Sequence, residues 1–234
     1  MIEGQTYTRV NPYEGYTPNT VTFDGTNDYL LRGDDLTSNA DGKLGCVSFW
    51  FDLAGLTGSP RIMDTTGGYF TLLFQGGKLR CVGYDSGATK KMEIIAATAY
   101  DGTEGLKHAL FSWDLANGLG SVWIDDADDT QATPTLVDAD IDYTRADWSI
   151  GSNVAGNSKL NSTMSDFLFW NDQYLDITNV SNRRMFISPE GTQVDTAIPI
   201  LQMGTPKVGF TNPLATWHET IGDGGGFTEN GALS

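Results

Sequence analysis

Only two cysteines occur in the 234 residues, Cys46 and Cys81, and only two histidines, His108 and His218. A lone cysteine pair at this spacing makes neither a disulfide framework nor a zinc motif, so two buried free thiols are expected, or else one cross-strand bridge. Basic residues are scarce as well: 14 Lys and Arg stand against 30 Asp and Glu, for a net charge of −16. Phosphate backbones and anionic lipid both need a basic surface, so no nucleic acid and no membrane are expected as partners. No apolar run of 18 residues exists to span a bilayer. Met1-Ile2-Glu3-Gly4 lacks the basic segment and apolar core of a secretion signal, and none is expected.

What is present is turn chemistry and short alternating runs. The 28 glycines and 11% aromatics point to an all-β chain with many turns. A chain of this length can bury roughly 70–75% of its unfolded surface and needs no staples. The octapeptide Phe23-Asp24-Gly25-Thr26-Asn27-Asp28-Tyr29-Leu30 reads as strand, tight turn and strand. Further strands are expected at 44–53, 61–64, 69–74, 78–84, 91–97, 148–151 and 164–170. A hairpin is expected across Asp114 to Gly118, with Trp113 and Trp123 flanking it. In 44–53, Val47, Phe49, Phe51 and Leu53 face one way and Cys46, Ser48, Trp50 and Asp52 the other. Residues 135–143 alternate most cleanly, with Val137, Ala139, Ile141 and Tyr143 on an apolar face and Asp138, Asp140 and Asp142 on an acidic one. One short helix is expected near 178–187, capped by Asp176 or Thr178 and stopped by Pro189. Residues 1–20 read as an extended arm and 21–234 as one domain, whose last forty residues return to the sheet as a proline-rich, loop-rich tail.

These residues resemble the concanavalin A-like lectin/glucanase superfamily, in particular laminin-G-like jelly rolls of phage and prophage structural proteins. The resemblance is carried by the octapeptide, by Val47-Ser48-Phe49-Trp50-Phe51 and by Lys107-His108-Ala109-Leu110-Phe111-Ser112-Trp113-Asp114. Tyr174-Leu175-Asp176-Ile177, Asn182-Arg183-Arg184-Met185-Phe186-Ile187 and the tail Gly224 to Leu233 look more specific to phage-type members. It implies a two-sheet jelly-roll sandwich used as a non-enzymatic virion surface or tail-associated adhesion module. That module would be made in the host cytoplasm, dock to a capsid or tail protein, and act as a homo-oligomer. The alternative is a lectin-like module that binds a cell-surface glycan, with or without calcium, through exposed aromatics; Trp50, Tyr84 and Trp148 are the candidate platforms, and a core position is the competing role for each.

Enzyme chemistry finds little footing. Glucanases of this superfamily carry alternating carboxylates on one strand, because acid and nucleophile must sit about 5–5.5 Å apart in retaining enzymes. Here Glu93 is followed by Ile94-Ile95-Ala96-Ala97, and the acidic row holds only Asp. As an EF-hand loop from Asp138, the chain puts Tyr143 where Gly belongs and Ser149 where Glu belongs; from Asp125 the same positions fall on Thr130 and Leu136. Asp64 is a candidate calcium ligand of a loop-rim site. Neither histidine accompanies a Gly-x-Ser-x-Gly elbow, so both are read as structural. Arg32-Gly33-Asp34 is read as turn chemistry, the sequons at Asn161 and Asn179 as accidental, and the glycines around Gly224 as backbone freedom rather than a phosphate loop. No catalytic, cofactor-binding or metal-ligating residue is assigned.

Overall fold

A computed structural model describes residue 13 and residues 15–234, so most of the expected arm at 1–20 lies outside the described residues. Two antiparallel sheets face each other. The seven-stranded sheet holds β1 (Thr20–Asp24), β3 (Leu44–Leu53), β8 (Lys107–Asp114), β9 (Leu119–Ile124), β10 (Ala127–Asp128), β13 (Asn161–Trp170) and β14 (Val208–Phe210). Its order is β1-β13-β3-β8-β9-β10, with β14 also on β13. The eight-stranded sheet holds β2 (Tyr29–Arg32), β4 (Arg61–Thr65), β5 (Phe70–Gln75), β6 (Lys78–Tyr84), β7 (Lys90–Ala99), β11 (Thr135–Leu136), β12 (Trp148–Ile150) and β15 (Thr228–Asn230). Its order is β11-β7-β6-β5-β4-β12-β2-β15. This is the expected jelly-roll sandwich.

Period-two alternation builds the core. Val47, Phe49, Phe51 and Leu53 of β3 meet Phe70, Leu72 and Phe74 of β5 across the interior, and Phe70 stacks on Phe169 with centroids 5.0 Å apart. The opposite face of β3 is buried too, because residues 171–206 fold back over the seven-stranded sheet. Cys46, Leu110, Leu168 and Trp170 form a second core there with Ile177, Phe186 and Met203. Both thiols are free and buried, as expected, and burial pushes Cys46 up to about 12 and Cys81 well above its ordinary value. The β8–β9 hairpin is also as expected: Asp114 accepts from the Asn117 N–H, and Gly118 takes a φ of +64° to close the turn. Trp113 lies in the sandwich core, but Trp123 faces the second core, where Arg183 stacks on its ring at 3.7 Å.

The octapeptide is strand, turn and strand as expected, but its two strands part company: β1 pairs with β13 in one sheet and β2 with β12 and β15 in the other. It is a corner between sheets, pinned by buried Asp28, which accepts the N–H groups of Asp24 at 3.2 Å and Ala232 at 2.9 Å and so ties the chain's last residues to its first strand. Residues 135–143 do not form one strand. Thr135–Leu136 pair with β7; the chain then leaves the sheet edge, exposing Val137, makes one isolated bridge from Ile141 to Gly42, and plugs the sandwich end with Ile141 and Tyr143. The acidic face dissolves with it: Asp138 pairs with Lys43 at 2.8 Å, Asp140 is exposed, and Asp142 is buried against Arg145 at 2.6 Å. The expected helix shrinks to α1 (Val180–Arg183), capped by Asn179 rather than Asp176 or Thr178. A second helix, α2 (Ala197–Met203), stands where a loop was expected; Pro199 falls in its first turn, where its missing N–H has no helical acceptor to lose.

Candidate functional site

The site grows out of an irregularity in β4. Regular alternation would turn Arg61 and Met63 outward and Ile62 and Asp64 inward. The register instead shifts between Arg61 and Met63, so Ile62 and Met63 both enter the core while Arg61 and Asp64 share the outer face of the eight-stranded sheet. Arg61 Nε and Asp64 Oδ1 lie 3.9 Å apart. Asp64 is buried and accepts from Thr71 Oγ1 at 2.6 Å; burial raises its carboxyl above the ordinary range, with the Thr71 bond and Arg61 opposing.

β5, β6 and β7 complete a cleft on this face. Leu79 and Cys81 point into the core, so Arg80, Val82 and Tyr84 point out; Thr71, Leu73 and Gln75 do the same on β5. Leu73 and Val82 form an apolar floor beneath a cavity of about 300 Å³. Arg80 donates to Gln75 at 2.8 Å and to Glu93 at 3.0 Å, while Lys90 reaches the other Glu93 oxygen at 2.9 Å. Tyr84 stands half-buried at the end of β6, edge-to-face with Tyr69 at 6.5 Å. Arg145 sits 3.8 Å over Tyr69 and anchors that aromatic pair. The turn Thr66–Gly68 opens the cleft mouth; at Gly67, whose φ is +77°, a Cβ would come within 2.9 Å of the Tyr69 ring. Fixed donors, fixed acceptors and an aromatic edge over an apolar floor suit a sugar ring, which presents hydroxyls at its rim and C–H groups on its faces.

Of the sequence candidates, Tyr84 lines this cleft, while Asp64 is buried beside it under Thr71; Glu93, passed over as a catalytic carboxylate, lines it as well. Trp50 and Trp148 are core residues at 3% and 0% exposure, and neither is a platform. Trp50 is sealed by the layer at 171–206, and the Trp148 indole points to Asp35 at 3.3 Å. Sequence reasoning missed Arg80, Gln75, Lys90, Leu73 and Val82. Their signal was the outward set of three consecutive strands, which alternation could have separated from the inward set.

The remaining titratable groups are placed elsewhere in the fold. His108 Nε2 lies 2.9 Å from Ser48 Oγ, but both are buried, and the void beside Ser48 measures about 10 Å³, room for about one water. Burial holds His108 down at about 4, with Asp125 and Asp126 opposing. His218 Nδ1 lies 3.8 Å from Glu229. Among the described residues no cluster of three or more His, Cys, Asp or Glu is placed to hold a metal ion. A larger cavity of about 440 Å³ beside Tyr100 is rimmed by acids already engaged: Asp129 accepts from Thr98 through both oxygens, and Glu104 from the N–H groups of Asp101, Gly102 and Thr103. The Arg32 guanidinium is held by the carbonyls of Asp35 and Gly226, and Gly224 packs where a Cβ would lie 2.4 Å from the Lys207 carbonyl, so both glycine readings stand as backbone geometry.

No known protein family and no curated protein matches the chain by sequence. Solved structures do match. A native heptameric SAP-like pentraxin from Limulus polyphemus aligns over 71% of this chain and 81% of its own at 15% identity, with a TM-score of 0.51. The LG1-3 region of the laminin alpha2 chain aligns over 67% of this chain at 16% identity and a TM-score of 0.47. The ligand binding domain of botulinum neurotoxin serotype D, solved with N-acetylneuraminic acid, aligns over 70% at 13% identity and 0.44. This chain spans only 32% and 45% of those last two. The pentraxin match, at this identity, shows a shared jelly-roll fold and nothing finer.

Proposed function

We propose that the protein is a non-enzymatic carbohydrate-binding module whose site is the cleft between Arg61, Tyr84 and Glu93. The observation that carries this is the juxtaposition of the half-buried Tyr84 ring, the apolar floor of Leu73 and Val82, and the Arg80–Glu93–Lys90 network in one 300 Å³ recess. The carboxylates here are poorly suited to hydrolysis: Glu93, which lines the cleft, engages both oxygens with cations, and neighbouring Asp64 is buried under Thr71, so neither offers a free acid or nucleophile. Single-site affinity is expected to be weak, at about the millimolar level, and to act through multivalency. Titration calorimetry with a glycan selected on an array should show Tyr84→Ala weakening binding at least about tenfold, the value of one ring contact, with the melting temperature little changed. Equal binding by Tyr84→Ala and wild type would place the sugar elsewhere.

The setting we infer for this module is a virion surface, docked to capsid or tail protein as a homo-oligomer, which rests on the phage-type motifs. Within those motifs, Arg183 and Arg184 both clamp Asp126, fastening α1 to the β9–β10 turn. A density map of the purified parent particle should contain this jelly roll in symmetric copies. A complete map without it would contradict the setting and leave the cleft untouched.

A further inference from the structure

We propose that the cleft selects a carbohydrate bearing a carboxylate, with the Arg61 guanidinium as the fork that takes it; this deepens the glycan reading and rests on it.

The cations of the cleft are not equivalent. Arg80 and Lys90 both pair with Glu93, and Arg80 Nη1 also donates to Gln75, so their charge is largely offset, although Arg80 Nε has no partner of its own. The Arg61 guanidinium donates no hydrogen bond to the described residues, and its Nε is buried without a partner. Its one nearby carboxylate, Asp64, is 3.9 Å from Nε and takes its short contact from Thr71 instead. A guanidinium at the rim of a recess, on a side chain that is 26% exposed and with its terminal nitrogens unengaged, is built to accept a planar bidentate anion.

Register places it for that purpose. Arg61 pairs with Leu73, and Leu73 with Arg80, so the two arginines flank the apolar floor two strands apart, about 9–10 Å between Cα atoms. A sugar ring lying over Leu73 and Val82 therefore meets charged hydrogen-bond donors at both ends, one spoken for and one free.

The charge of the rest of the chain narrows the ligand. Three cations converge on this cleft in a protein of net charge −16. A single carboxylate on an otherwise neutral sugar gains the local attraction. A polyphosphate or densely charged chain would extend from the cleft over acidic surface and be repelled.

The test uses the full chain and three sugars of one backbone: a hexuronate-containing oligosaccharide, its carboxyl-reduced neutral counterpart, and a sulfated version of that neutral sugar. The uronate should bind about tenfold or more tighter than the neutral form, the worth of a charge-assisted hydrogen-bond pair, and the difference should shrink as salt is raised. Arg61→Gln should abolish the difference by bringing uronate binding down to the level of the neutral sugar, and Arg61→Lys should restore part of it. Equal binding of uronate and neutral sugars, or an Arg61→Gln variant that weakens both alike, would overturn the carboxylate assignment and spare the glycan reading. Tighter binding of the sulfated sugar would overturn it in favour of a sulfate ester. Failure of all three to bind wild type would overturn both readings.

Discussion

Asp166→Asn should make the protein more stable at pH 8, by about 4 kcal/mol, and by only about 2 kcal/mol at pH 5. Asp166 lies at a bulge in β13, between Ser165 and Leu168, with a φ of +51°. The bulge turns two successive residues, Ser165 and Asp166, away from the sandwich interior and returns Phe167 to it, so a carboxyl that alternation would send into the core lands under the layer at 171–206. There it is 4% exposed; Tyr16 donates to Oδ1 at 2.6 Å, and Oδ2 has no partner. Burial, with nearby Asp195 adding to it and the Tyr16 hydrogen bond opposing, raises the carboxyl to about 7.

The sign follows from where the proton sits. Between the ordinary value of 3.8 and about 7, the folded protein holds a proton that the unfolded chain has released. Stability therefore falls as pH rises through that window and stays low above it. Asn keeps the acceptor for Tyr16 and tolerates positive φ but never ionises, so its advantage must grow with pH. Urea denaturation at both pH values measures this, and an Asn variant less stable at pH 8, or with the same gain at pH 5, would contradict it.

Gly45→Ala should cost 3 kcal/mol or more, about the upper range for overpacking a core. Gly45 pairs with Trp113 across β3 and β8, and a Cβ there would lie 2.1 Å from Trp113 Cζ2 and 2.4 Å from Cε2. The indole cannot move aside, since its Nε1 donates to the Tyr143 hydroxyl at 3.1 Å and its ring packs on Phe70. Because the damage is one clash, Gly45→Ala combined with Trp113→Leu should cost clearly less than the two single changes added. A single variant within about 1 kcal/mol of wild type, or strict additivity, would contradict this.

The sandwich was legible because its main strands obey period two. Val47 to Leu53 on β3 and Leu79 to Tyr84 on β6 could be assigned inward and outward residue by residue. The failures have physical causes. Residues 135–143 alternate as well as any strand, yet only Thr135–Leu136 join a sheet and Ile141 makes a single bridge, and alternation carries no information about whether a partner edge exists. The β1–β2 corner shows the same blindness, because Asp24, Asp28 and Gly25 specify a turn and not the sheet that the next strand joins. α2 hid behind Pro199, whose effect depends on its place in the helix. Trp50 hid behind the second core, since a face covered by a distant segment looks solvent-exposed from its own strand. Of the cleft, Tyr84 was visible as a single candidate, but not the residues that meet it. Their meeting depended on the bulge at Ile62–Met63 and on strand order, neither of which any local pattern encodes.

The central claim, that the outer face of the eight-stranded sheet is a sugar site, is tested most directly by two-dimensional amide and arginine-Nε NMR spectra. The labelled protein would be titrated to millimolar levels with the neutral and uronate-bearing oligosaccharides. Shifts should saturate together at Leu73, Arg80, Val82, Tyr84 and Glu93 for both sugars, and at Arg61 Nε for the uronate. Perturbations confined to the cavity beside Tyr100 or to other surfaces, or none at those concentrations, would contradict the account.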